Sequence, residues 1–421
     1  MALQIDPGTV QEARPSYRHT FLRARRPRFI CQFKLGTDAG TRVIYGDDPP
    51  CQRELRAKYR CPHRLVVPSF MEASMRASPM LILALLVALA LPVQPGIAQT
   101  NTDPELTEWM VPYEASRPRD PMVGPNGQVW FVGQTADYVS VLNPETGEFK
   151  KYDLEEGAGP HNLVVDDDGM VWYSGNRATH IGMLDPNTGD ITKYRMPNEA
   201  VRDPHTLIFD SQGDIWFTAQ QANYIGKFFK ETGEIRLLES LQVEASRRGN
   251  SSRPYGIVID SQDRPWIALF NTNHIGTVDP ETFELKTYEL PENARPRRIG
   301  ITSDDIIWYG DWTRGSLGRL DPETGEVTEF EFPNGAESRP YGMAVDDSDR
   351  IWIVETGVEP NNFVGFDPMT GKFFSQTSVE SGGGTIRHMY FDAETNSVWF
   401  GADTNTVGVA KLPPRRRAVS H

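Results

Sequence analysis

The chain is 421 residues long and carries 57 acidic against 43 basic side chains, a formal net charge of −14. A balance this acidic argues against a protein held to nucleic acid or to an anionic membrane by counter-charge. Its three cysteines, Cys31, Cys51 and Cys61, all precede residue 70, so the rest of the chain folds without disulfide support.

Residues 1–70 are Arg-rich and carry no repeat, as expected of an upstream extension or a disordered arm ahead of a true start at Met71 or Met75. Residues 71–98 read as a signal peptide. The apolar run Met80–Val93 follows a lone Arg76, is too short to span a bilayer comfortably, and leads into Gly96-Ile97-Ala98. Cleavage after Ala98 would deliver a periplasmic or secreted protein that no longer touches the membrane; an uncleaved anchor is the alternative. Residues 1–98 hold 14 Lys and Arg against 7 Asp and Glu, which leaves 29 against 50 beyond them, a net of −21. Residues 99–105 form a linker, 106–413 a repeat domain and 414–421 a short tail with Arg415-Arg416-Arg417.

The repeat is set out by tryptophans. Trp130, Trp172, Trp216, Trp266, Trp308, Trp352 and Trp399 are spaced by 42, 44, 50, 42, 44 and 47 residues, each opening a short strand after a polar turn. Pairs such as Ile181-Gly182, Ile225-Gly226 and Leu317-Gly318 mark the next strand, and turns of the type Asp185–Gly189 and Asp321–Gly325 precede the last. Four antiparallel strands in each unit of a little over 40 residues predict a seven-bladed, all-β propeller. The opening stretch Leu106–Pro112 matches the fourth strands Ile191–Pro197 and Leu285–Pro291, whereas the last copy stops a strand short. The N-terminal strand therefore completes the C-terminal blade and removes the open ends of the array. A ring closed in this way requires no second copy, so a monomer is expected.

Insertions show which face works. Glu239–Ser252, Gly357–Asn362 and Ser378–Thr385 all connect strands at one edge of the blades, and insertions gathered on one face mark a binding face. Two recurring positions point at the channel mouth there. The start of each innermost strand, after a recurring Pro, holds Met122, His161, His205, Tyr255, Arg297, Tyr341 and His388. The end of each second strand holds Gln134, Asn176, Gln220, Asp311, Trp312, Glu355 and Asp403. Imidazoles beside carboxylates suit general-base catalysis or a divalent cation, and equally a solvated channel mouth. His180 and His274, on third strands, read as structural.

The recurring Arg-Pro-(His/Tyr)-Gly-Ile, Ile-Trp-Phe and Asn-x-Ile-Gly signatures resemble the virginiamycin B lyase family over about Leu106–Pro413. The resemblance implies a seven-bladed propeller that opens a cyclic depsipeptide at its ester by elimination, with a magnesium ion. Carried over residue by residue, it makes His388 the general base and Asp403, in place of a glutamate, a metal ligand. The family's other metal-binding glutamate falls on Ile386, with Arg387 for the intervening proline, and its second histidine falls on Tyr341. Glu355, one blade away, is the residue available to replace the lost ligand. The expected function is a divalent-metal-dependent carbon–oxygen lyase acting on an ester- or lactone-containing small molecule at the channel mouth. Arg297, Tyr341, His161, His205 and Tyr255 would contact that molecule. The alternatives are a non-catalytic ligand- or protein-binding propeller and a gluconolactonase-like lactonase using calcium.

Overall fold

The computed structural model describes residues 102–246 and 249–415. The extension, the signal segment and the end of the tail lie outside the described residues. Seven four-stranded antiparallel sheets make the repeat domain. Blade one is Pro118–Val123, Val129–Gly133, Tyr138–Asn143 and Glu148–Asp153 in order from the axis outward. The other innermost strands are Pro160–Val165, Pro204–Phe209, Pro254–Ile259, Pro296–Ile301, Pro340–Val345 and Ile386–Asp392. Each packs beside the next, and Ile386–Asp392 packs beside Pro118–Val123, which closes the circle.

The expected closure is present. Glu105–Met110 runs antiparallel to Thr406–Lys411, with Leu106 opposite Ala410 and Trp109 opposite Val407. Ser381 and Thr406 donate to the Glu108 carboxylate at 2.6 and 2.7 Å, tying the first strand to the last blade from two sides. The long insertion before blade four folds into a hairpin, Gln242–Ser246 with Gly249–Ser251. No helix among the described residues is long and apolar enough to cross a membrane.

Both sequence markers have packing reasons. In four blades the aromatic after the Trp, Tyr173, Phe217, Tyr309 or Phe400, lies across a glycine of the third strand. A Cβ at Gly182 would stand 2.1 Å from Tyr173, and one at Gly318 would stand 2.0 Å from Tyr309, so only glycine fits. Each Trp packs between blades, as Trp172 does on Phe228 at 5.5 Å and Trp308 on Phe366 at 5.6 Å. In five blades its indole N–H donates to the side chain six residues earlier: Asp166, Asp210, Asp260, Thr302 and Asp346. The acidic turns thus satisfy buried indoles.

Candidate functional site

Six innermost strands break register with their neighbour between the recurring proline position and the residue three further on, and in blade one the break falls between Arg119 and Met122. A bulge re-aims side chains. Here it places two residues per blade around the top of the channel. The outer tier is Arg119, His161, His205, Tyr255, Arg297, Tyr341 and Arg387. The inner tier is Asp120, Asn162, Thr206, Gly256, Arg298, Gly342 and His388.

This register corrects two assignments. Pro118, not Pro121, pairs with Gly133 as Pro160 pairs with Gly175, so Arg119 takes the position expected of Met122. Met122 lies deeper, its sulfur 3.2 Å from the Val165 amide. In the last blade Ile386 pairs with Ala402 where the other blades have proline, so Arg387 holds the outer position and His388 the inner one. The alignment that made His388 the residue after the proline is therefore off by one.

The tiers form a plug. Arg119 donates to His161 Nε2 at 3.0 Å and to Gln134 at 3.0 Å. Asp120 accepts from Asn162 at 3.0 Å and from Arg298 at 3.3 Å, and Arg119 Nε approaches its other oxygen at 3.4 Å. Arg298 also donates to Thr206 and to the Arg387 carbonyl. The His161 and His205 rings lie 3.7 Å apart, and Tyr255 and Tyr341 share a short hydroxyl–hydroxyl hydrogen bond. All of these except Gln134 and Arg387 are buried. His161, His205, Tyr255 and Tyr341, expected around an open mouth, are instead its floor. Beneath them a channel of about 390 Å³ with largely apolar walls includes Arg298 and His388.

Charge is arranged accordingly. Burial and then Arg298 push His388 down to about 4 against the pull of Asp120, so its imidazole is neutral at pH 7. Burial and the neighbouring guanidiniums hold His161 and His205 well below the ordinary histidine value. Burial alone would raise Asp120; His388, Arg119 and Arg298 together bring it well below the usual carboxylate range. Burial also opposes ionisation of the tyrosine pair, but Arg297, Arg298 and Arg119 bring Tyr255 down to about 8, and Tyr341 rises to about 12.

The residues proposed for a cation do not fit one. Asp403 sits at the mouth, its carboxylate ion-paired with Arg387 and, at 3.3 Å, with Arg117. Glu355 is fully buried, one residue short of the position Asp403 occupies in its blade. It accepts from Ser338 at 2.7 Å, Asn334 at 2.8 Å, Asn362 at 3.2 Å and Gln376 at 3.3 Å. Both oxygens of Glu355 accept hydrogen bonds from its neighbours, Asp403 is neutralised by two arginines through Oδ1, no hydrogen bond joins His388 to Asp403, and no cluster of three or more His, Cys, Asp or Glu among the described residues could hold a metal.

What the mouth offers is arginine and aromatic rings. Arg297 lies 3.6 Å over the Tyr341 ring, 4.8 Å from Phe270, 5.2 Å from Trp312 and 5.5 Å from Tyr255. Its Nε is buried without a hydrogen-bond partner, and it makes no ion pair among the described residues. Arg339 also lies 5.3 Å from the centre of the Trp312 ring. Arg117 and Arg339, both directly before the recurring proline, have φ of +50° and +43°, a conformation a bulky side chain adopts at a cost. Sequence reasoning missed Arg119, Asp120, Arg298, Phe270 and these pre-proline arginines. The fourfold Arg-Pro at 117, 253, 295 and 339 was the signal available for the last group.

The model of the virginiamycin B lyase family matches residues 89–360. The chain belongs to the virginiamycin B lyase family. Among solved structures, virginiamycin B lyase from Staphylococcus aureus superposes with a TM-score of 0.64 at 25% identity, over 74% of this chain and 100% of that one. A catalytically inactive histidine-to-alanine variant of the same enzyme with quinupristin gives 0.65 at 25%, with the same coverage. The extracellular domain of a one-component system from B. thetaiotaomicron, at 0.56 and 16% over 74% of this chain and 43% of that one, shares the fold. No curated protein matches the chain. This member of the virginiamycin B lyase family therefore combines the expected ring with a floor of arginine, histidine and tyrosine.

Proposed function

We propose that this propeller is an exported, monomeric, small-molecule-binding member of the virginiamycin B lyase family whose occupant is an anion, held by guanidinium groups at the channel mouth without a divalent cation. Arg297 carries the reading. A half-buried cation with no counter-ion is unfavourable unless a ligand supplies the opposite charge, and four surrounding rings leave its donors in a fixed plane suited to a carboxylate. Export rests on the signal-like residues 71–98. Trp312, half-buried beside Arg297, is the reporter: its fluorescence on titration with benzoate and with citrate should saturate, and Arg297→Ala should weaken the binding about tenfold or more. Absence of any response at millimolar concentration, or an unchanged affinity in Arg297→Ala, would remove this reading.

A second reading keeps the family's carbon–oxygen lyase chemistry on an ester or lactone. It rests on the Tyr255–Tyr341 pair, whose first proton leaves at about 8 under three arginines. Tyr255 would take the proton from the carbon adjacent to the one that carries the ester's alkyl oxygen, the electron pair would form the new C=C bond between those two carbons, and the alkyl C–O bond would break to release a carboxylate. Elimination leaves the mass of quinupristin unchanged while opening the ring, whereas hydrolysis by a lactonase adds one water. Ring opening that survives EDTA and disappears in Tyr255→Phe supports it, and intact quinupristin after long incubation opposes it.

A further inference from the structure

On the face opposite the mouth, a cavity of about 720 Å³ opens between blade one and the turns Asp168-Gly169 and Pro186-Asn187 of blade two. It lies in one of the two blades where the repeat pattern lapses, the other being that of Trp399, whose buried indole N–H likewise has no partner among the described residues. In four blades the carboxylate that accepts from the Trp indole is also bonded to a cation lying over that indole. Lys230 serves Trp172 and Asp166, Lys227 serves Trp216 and Asp210, Arg264 serves Trp266 and Asp260, and Arg350 serves Trp352 and Asp346. In blade one every element of that clamp is absent. Gly124 stands six residues before Trp130, and Gln128 takes the position of Arg264 and Arg350. Val141 faces Trp130 where Lys227 faces Trp216, and Pro186 takes the place of Lys230 in the neighbouring turn. The Trp130 indole N–H accordingly has no hydrogen-bond acceptor among the described residues.

We propose that this cavity binds a neutral oligosaccharide. Its volume falls inside the roughly 300–1,000 Å³ range of ligand pockets. Its rim carries the amides of Asn126, Gln128, Asn143 and Asn187 and the carboxylates of Glu148 and Asp168, and Trp130 and Tyr152 supply aromatic wall. Amides donate and accept at once, as sugar hydroxyls do, and the unmet indole N–H is one further donor for a hydroxyl oxygen. The clamp's carboxylate and cation are both missing, and the one cation on the rim, Lys150, already lies 4.4 Å over the Tyr152 ring. Glu148 and Asp168 at the rim remain as acceptors for further hydroxyls.

The site is independent of the arginine mouth, and so is its test. The full chain is titrated calorimetrically with maltotriose, cellotriose and chitotriose. Binding of at least one at millimolar concentration or below is expected. The double change Gly124→Asp with Gln128→Arg rebuilds the clamp. A Cβ at residue 124 would stand 3.2 Å from Trp130 Nε1, on the side where other blades put their carboxylate. This variant should bind at least tenfold more weakly without a lower melting temperature. Asn187→Ala, on the other wall, should weaken binding severalfold, and Arg297→Ala should leave it unchanged. No heat with any of the three sugars, or equal affinity in the rebuilt variant and in Asn187→Ala, would overturn the proposal.

Discussion

Arg297 and Arg298 are adjacent in sequence and opposite in circumstance. Arg298 is buried with Asp120, Thr206 and a backbone carbonyl as partners, whereas Arg297 has aromatic faces and no anion. Removing one partner of a buried ion pair leaves the other uncompensated, which costs about 3–5 kcal/mol. Asp120→Ala should therefore lower the melting temperature strongly, because it strands both Arg119 and Arg298. Arg297→Ala should leave it unchanged or raise it while weakening anion binding about tenfold or more; a large loss of stability would show that Arg297 is part of the plug. The histidines add a pH dependence whose sign is set. A base whose folded pKa lies below its unfolded value of about 6.5 contributes stability that is complete above that value and is lost as pH falls. His388, at about 4, together with His161 and His205, should make thermal stability fall as pH drops from about 6.5 toward 4. Asp120, held low, extends the loss to still more acid solution, and His388→Gln should flatten the first part of the curve.

At the scale of elements, the closing strand decides whether seven blades are one ring. Glu105–Met110 covers the edge of Thr406–Lys411 along six paired residues. A chain starting after Pro112 exposes that edge and should elute as aggregate or melt well below the intact ring; a monomer of equal stability would show the closure to be dispensable. The ring and its closure were legible because Trp spacing, Ile-Gly pairs and Asp-rich turns are local signals with local packing causes. The site was legible only in part. The bulge that builds it moves two residues per blade, so an offset of one between Arg387 and His388, or of three between Arg119 and Met122, exchanges mouth for floor. Two prolines three apart at Pro118 and Pro121, and a missing one at Ile386, are the particular features that misled the alignment. Partners such as those of Glu355, drawn from Asn334 to Gln376, come from a turn and two separate strands and could not be read from spacing.

For the whole molecule, a domain of net −21 beyond residue 98 concentrates arginine at one channel mouth. Such a field repels anions at long range and captures them only locally, so raising salt should speed anion association by screening the overall repulsion even as it weakens the final contact. Stopped-flow measurement of the Trp312 signal at two ionic strengths separates the two effects. The most direct test of a guanidinium-held anion in place of a bound cation is anomalous diffraction from crystals soaked in bromide and in manganese. The expected result is a bromide peak within contact of Arg297 and no manganese peak at Asp403. A manganese ion on Asp403, with Arg387 displaced and the Arg297 cage empty of bromide, would contradict it.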